Sequence, residues 1–243
     1  MEIKVYKTPE ETCRQLAALL SEMVLKRQQV IDSDLPDLQN RKINVALSGG
    51  STPKLLFRIM AEEYRDTDWS KVHFFWVDER MVPWKDAESN FGEFYRTLVS
   101  AGVVPETSLF PIRFDEDETF ALSETDAAIR ANVPFTGGFP RFDLIILGIG
   151  EDGHTASIFP DNLKSFNSPE IVEIAVHPQT KQHRITLTGR TINHAENIIF
   201  LCTGAGKKSI LNEVINKKNQ LLPATHVSPL NGNLTFYLDE EAF

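Results

Sequence analysis

Cysteine is nearly absent from this sequence: 243 residues contain two, Cys13 and Cys202. Neither has a C-x-x-C partner, which leaves a disulfide framework or a thiolate zinc site without support. Cys13 falls in a helical pattern and Cys202 inside the apolar NIIFLCTG, so both read as packing residues. No apolar run nears the roughly 18 residues that a membrane-spanning helix needs. The opening MEIKVYKTPEETCRQ lacks a basic head followed by an apolar stretch, and the expectation is a cytoplasmic chain. Positive charge is also scarce, with 25 Lys and Arg against 34 Asp and Glu, a formal net charge of -9. That balance disfavours nonspecific binding to nucleic acid or acidic membranes, so an anionic ligand must find a local positive pocket. The six histidines form no H-E-x-x-H pair, and neither a G-x-S-x-G elbow nor a G-x-x-x-x-G-K-[ST] loop occurs. The expectation is therefore no metal, no serine nucleophile and no nucleoside-triphosphate loop.

What is present is a regular alternation of apolar runs and helical patterns. EIKVY alternates as a strand does, and TPEE then offers Thr8 as helix cap, Pro9 at the first helical position and Glu11 for a capping box. The spacing predicts a helix from about Pro9 to Arg27 with Leu16, Leu19, Leu20, Met23 and Val24 inward, broken by DSDLPDLQN. INVAL, VHFFWV, LFPI, FDLIIL, IVEIAV, HRITLT, NIIFLC and LTFYL follow as strands. Helices are expected after Pro53, after Asn90, from Glu118 to Ala131 and from Ala205 to Asn216. Continuous Val/Ile/Leu runs between helices indicate an α/β fold: a mostly parallel, doubly wound sheet with helices on both faces. No long linker, repeat or low-complexity tract divides it, so residues 1–243 read as a single domain, with PFTGGFPRF an ordinary connection.

In a parallel sheet the loops leaving strands for helices share the carboxyl edge, where open α/β folds place their ligands. Four such loops are polar here: SGGSTPK, DERMVPWKDAESN, GIGEDGH and TGAGKK. In the first, Gly49 and Gly50 permit a tight turn, Ser48, Ser51 and Thr52 add hydroxyls, and Pro53 starts a helix whose free N–H groups suit an anion. The same residues also fit a plain strand-to-helix turn capped by Ser or Thr. Lys207 could supply countercharge, and Arg184 is a second candidate; a solvated lysine is the alternative for the former.

Gly148, Gly150 and Gly153 satisfy G-x-G-x-x-G, and Glu173 sits at about the acidic spacing of a dinucleotide site. That fingerprint needs a full helix after the third glycine, and Pro160 ends any helix too early, so the match reads as accidental. His154 makes better chemistry. An imidazole with an ordinary value near 6.5 accepts a proton at neutral pH, and Asp152 could fix its tautomer. A turn histidine bonded to backbone is the alternative. Asp78, Glu79 and Arg80 stand where a strand ends: Arg80 could meet an oxyanion, and Asp78 could hold sugar hydroxyls or Arg80 itself, or all three could form an ordinary ion-paired loop. His177 and His183 are too isolated to interpret.

ALSGGSTPKLLF, HFFWVDERMVPWKDAESNFG, FDLIILGIGEDGHTASIFP and RITLT…IN, in that order from about residue 46 to 208, resemble the lactonase branch of the glucosamine-6-phosphate isomerase/6-phosphogluconolactonase family. The resemblance implies that Ser48, Gly49, Gly50, Ser51, Thr52, Lys207 and Arg184 hold a sugar 6-phosphate and that His154 is a general base. It makes Asn90 a substrate contact, although Ser89 or Asn90 could simply cap the next helix. The implied reaction is hydrolysis of 6-phospho-D-glucono-1,5-lactone, with Asp152, Arg80 and Asp78 assisting, no cofactor, and a monomer or weak homodimer. The deaminase branch carries a glutamate five residues after the histidine, where this chain has Phe159. A noncatalytic sugar-phosphate sensor is the remaining alternative; it would need a further module, for which the expected single domain leaves no room.

Overall fold

Strands form here where β-branched and aromatic residues run without polar interruption, because such runs suit a sheet covered on both faces. The structure, a computed structural model, describes residues 1–31, 41–114 and 117–243. Seven strands make one sheet: β1 (Glu2–Tyr6), β2 (Ile43–Leu47), β3 (Val72–Trp76), β5 (Leu109–Phe110), β8 (Leu144–Leu147), β11 (Asn197–Cys202) and β12 (Asn233–Asp239). Their order is β1-β12-β11-β8-β2-β3-β5, and every neighbouring pair is parallel. β2 and β8 are buried at each residue.

Helix α1 (Pro9–Ile31) opens on the expected cap: Glu11 N donates to Thr8 Oγ1 at 3.2 Å. The Glu11 carboxylate accepts from Lys7 N at 3.1 Å, one residue earlier than the reciprocal capping bond would be. Cys13, Leu16, Ala17, Leu20 and Val24 are its buried stripe, with Leu19 and Met23 partly buried. The helix runs past Arg27; the expected break over DSDLPDLQN lies outside the described residues. α2 (Ser51–Glu63) packs along α1, and α3 (Asn90–Phe94) continues as a π turn to Val99. α4 spans Glu118–Asn132, α5 Gly189–Asn193 and α6 Lys208–Leu211, the last extended by 3₁₀ and π turns over Ala205–Asn216. Among the described residues no helix is long and apolar enough to cross a membrane.

Several expectations are corrected. DER is not loop but strand β4 (Asp78–Arg80), and it joins β10 (His183–Leu187) and β9 (Val172–Val176) in a separate antiparallel sheet, ordered β4-β10-β9. IVEIAV and HRITLT thus leave the parallel sheet, because the six residues between them close a hairpin and are too few for a parallel crossover. Val77 stitches the sheets together: its N–H donates to Leu47 O at 2.9 Å and its carbonyl accepts from Leu187 N at 2.8 Å. PFTGGFPRF likewise contains a small hairpin, β6 (Phe135–Thr136) and β7 (Phe139–Pro140). After Gly153 the chain forms a turn and an isolated bridge between Thr155 and Ile158. Pro160 then opens a 3₁₀ stretch, Pro160–Phe166, rather than ending a helix. No dinucleotide-type helix follows the glycines.

Candidate active site

The carboxyl ends of β2, β3, β8 and β11 and the neighbouring antiparallel sheet enclose a cavity of about 270 Å³. Its wall includes Ser48, Gly49, Gly50, Ser51, Thr52, Asp78, Arg80, Asn90, His154, Arg184 and Lys207, so of the expected residues only Asp152 stands behind it.

The serine-glycine turn enters α2 with Gly50 at its cap. A Cβ on Gly49 would overlap the Asn90 side chain, so only glycine allows the two loops to approach. Lys54 N is bonded to Gly50 O at 3.1 Å, and Pro53 has no N–H, which leaves the amides at the very start of α2 for a ligand. Ser48 lines the wall, and its hydroxyl donates to Ile146 O at 2.9 Å, which also ties neighbouring strands. Thr52 Oγ1 lies 2.9 Å from Thr203 Oγ1, and Lys207 Nζ donates to Ile149 O at 2.7 Å while lining the wall. The ammonium retains two further protons for an anion.

His154 sits on a turn closed by Gly150 N to His154 O at 2.8 Å and Gly153 N to Gly150 O at 3.0 Å. The imidazole lies so close over Gly150 that any Cβ there would overlap it. Asp152 Oδ1 is 2.6 Å from His154 Nδ1 and 3.1 Å from its backbone N. A carboxylate only accepts, so in the neutral ring Nδ1 carries the proton and Nε2 the lone pair. Burial pushes the Asp152 carboxyl up, but the backbone N–H and imidazole of His154 outweigh it and the net direction is down. Phe159 supports the ring at 5.0 Å between centroids and is itself flanked by His177 at 5.0 Å. Two residues after His154, Ala156 lines the cavity with φ 49°, a left-handed conformation that costs a non-glycine residue about 1–2 kcal/mol.

The antiparallel sheet contributes the charges. Arg80 and Arg184 are directly opposite on β4 and β10, an unfavourable like-charge pair unless other groups offset it. Asp78 serves Arg184 at 3.7 Å rather than Arg80, and Ser157 Oγ donates to Asp78 Oδ2 at 2.6 Å. Arg184 is 9% exposed; burial draws its guanidinium below its usual value, and its Nε has no partner among the described residues. Arg80 donates to Glu88 O at 3.3 Å and to Asn90 Oδ1. Asn90 also donates Nδ2 to Asp78 O at 2.9 Å, so its amide is committed to holding Arg80, while Ser89 caps α3 by accepting from Gly92 N at 2.9 Å. Glu79 turns away from the cavity: its buried carboxylate accepts from Arg80 N, Asn90 N, Phe91 N and Ser89 Oγ at 2.8–3.0 Å. Burial still raises its carboxyl above the ordinary range, against those donors.

Sequence reasoning missed Ser157 and Thr186, whose Oγ1 accepts from Ser157 N at 3.0 Å. Both are small polar residues inside apolar runs, a signal too common to single out. Cys13 and Cys202 are buried, as expected, and burial pushes both thiols up to about 12. Among the described residues no group of three or more His, Cys, Asp or Glu side chains is placed to hold a metal ion.

The family model described as glucosamine-6-phosphate isomerases/6-phosphogluconolactonase matches residues 7–236. A 6-phosphogluconolactonase of Haemophilus influenzae is 39% identical over 207 residues, covering 84% of this chain and 87% of the relative. One of Treponema pallidum is 39% identical over 180 residues, 74% of this chain and 75% of that one. The structure of 6-phosphogluconolactonase from Trypanosoma brucei superposes with a TM-score of 0.83 at 28% identity, covering 99% of this chain and 97% of the other. With the polar carboxyl-edge cavity and the parallel sheet beneath it, these matches establish that the chain belongs to the glucosamine-6-phosphate isomerase/6-phosphogluconolactonase family.

Proposed function

We propose that this chain hydrolyses 6-phospho-D-glucono-1,5-lactone to 6-phospho-D-gluconate, a step of the oxidative pentose phosphate pathway. The observation that carries this reading is one cavity whose wall includes both the α2 entry turn and the His154 ring. The 6-phosphate is seated by the amides and hydroxyls at Gly50, Ser51 and Thr52, with Lys207 and Arg184 as countercharge. Ser48 and Gly49 shape that turn, and Asn90 acts by holding Arg80. Anchored there, the lactone places C1 near His154, whose Nε2 takes a proton from water as the water oxygen bonds to C1. Asp152 holds the productive tautomer and stabilises the imidazolium. Arg80 stabilises the oxyanion that forms as the carbonyl bond opens, and Asp78 maintains Arg184. When the oxyanion collapses, the bond from C1 to the ring oxygen breaks and the imidazolium returns its proton to that oxygen. The carboxylic acid so formed ionises and releases one proton to solvent, and atoms and charge then balance without a cofactor.

In this reading residues 1–243 form one domain, cytoplasmic and a monomer or weak homodimer, with a sugar phosphate as partner and neither nucleic acid nor membrane. Phe159, 1% exposed, stands where the deaminase branch carries its glutamate and leaves no carboxylate for ring opening of an amino sugar. The test is a coupled assay in which lactone generated from glucose 6-phosphate is converted to 6-phosphogluconate. Turnover well above spontaneous hydrolysis is expected. No acceleration, or ammonia release from glucosamine 6-phosphate instead, would overturn the assignment.

A further inference from the structure

The two cavity arginines are joined by a bridge that lies outside the cavity itself. Arg184 Nη2 donates to Gln182 Oε1 at 3.5 Å, and Gln182 Nε2 donates to Glu88 Oε2 at 3.0 Å. The main-chain carbonyl of the same Glu88 accepts from Arg80 Nη1 at 3.3 Å. The backbone of Gln182 is held in the β9–β10 hairpin, where its main-chain carbonyl accepts from His177 N at 2.9 Å. We propose that Gln182, acting through Glu88, is a positioning residue that holds Arg80 and Arg184 as one hydrogen-bonded unit at the cavity rim. This rests on the lactonase reading and deepens it by naming an outer brace on the two cations that the strand register sets side by side.

The chemistry of the bridge is selective. A guanidinium only donates and a carboxylate only accepts, so the residue between them must accept on one side and donate on the other. The amide of Gln182 does both in a single orientation. A carboxylate at 182 would face that of Glu88, and an ammonium would face Arg184. The need for such a bridge follows from the strand register, which sets Arg80 and Arg184 directly across from one another, where like charges push apart. Asp78 restrains Arg184 from below at 3.7 Å, and Asn90 restrains Arg80. Linked by the bond from Asn90 Nδ2 to Asp78 O at 2.9 Å, these two form an inner connection between the arginines, and the Gln182–Glu88 bridge is a second, outer one. Gln182 and Glu88 come from different loops, so the bridge also pins the β4–α3 loop to the hairpin.

The test is a kinetic and binding cycle on the whole chain with Gln182→Ala, Glu88→Ala and both, with thermal melts confirming folding. Each single variant is expected to lower kcat/KM for the lactone about three- to tenfold, and the double variant no further, because one bridge is lost either way. Exchanging the partners, Gln182→Glu with Glu88→Gln, again pairs every donor with an acceptor, with the bond between positions 88 and 182 reversed in direction, and is expected to recover most of the loss. A merely structural role would not be rescued in this way. Independent, additive effects, no effect of Gln182→Ala, or failure of the exchange to rescue would overturn the proposal. If the wild-type chain does not turn over lactone, the functional reading fails by itself. The same cycle read as calorimetric affinity for 6-phosphogluconate then still decides whether Gln182 and Glu88 act as one unit.

Discussion

The two sheets do different work with different materials. The parallel sheet is a scaffold of buried Val, Ile, Leu and Phe whose strand ends deliver turns to one edge, and those turns bring the α2 entry, His154 and Lys207 to the cavity. The antiparallel sheet is small, and its two facing strands carry charge, Asp78 and Arg80 opposite Thr186 and Arg184. Hydrophobic burial fixes the first with little reference to chemistry. The second holds together two like charges and a buried carboxylate, an arrangement that stability alone would not select.

The contrast can be pressed from its strongest expected effect downward. His154→Ala removes the only imidazole on the cavity wall among the described residues and should lower kcat by roughly 100- to 10,000-fold with phosphate affinity largely intact. Near-normal turnover in that variant would leave the base unassigned. Asp78→Ala leaves Arg184 buried without its carboxylate and should cost about 3 kcal/mol of stability, measured by denaturant unfolding. A loss below about 1 kcal/mol would mean the antiparallel sheet is held by packing, like its larger neighbour. Lys207→Ala should raise KM about tenfold with kcat little changed, since phosphate binding is shared by ground and transition states; Ser51→Ala should do the same more weakly. Loss of turnover at saturation would erase the division between anchor and chemistry. Ile145→Val, at the centre of β8, should cost about 1 kcal/mol of stability and leave kcat/KM unchanged, the signature of a residue that only packs.

The same contrast explains what could be read from the sequence. Strands such as INVAL and FDLIIL are legible because burial on both faces leaves an uninterrupted apolar run, and SGGSTP is legible because glycines, hydroxyls and proline each have a local reason to stand where a strand meets a helix. The antiparallel sheet is not, because its β4 is three charged residues that look like a loop until β10 pairs with them. Partnerships across long separations were hidden for the same reason. That Asp78 serves Arg184, that Asn90 braces Arg80 and that Ser48 ties two strands depends on pairing 98 to 106 residues apart or on loop approach, which spacing along the chain does not encode. Asp152 and His154 are two residues apart, so their contact was open to local argument.

The central claim is geometric: the anion seat at the start of α2 and the Nε2 face of His154 address opposite ends of one sugar. A crystal structure of the chain with 6-phosphogluconate tests it most directly. The account predicts the phosphate on the amides of Gly50 to Thr52 and the C1 carboxylate within about 3.2 Å of His154 Nε2, or one water away. A bound product with its C1 end turned from His154, or its phosphate seated elsewhere, would contradict it.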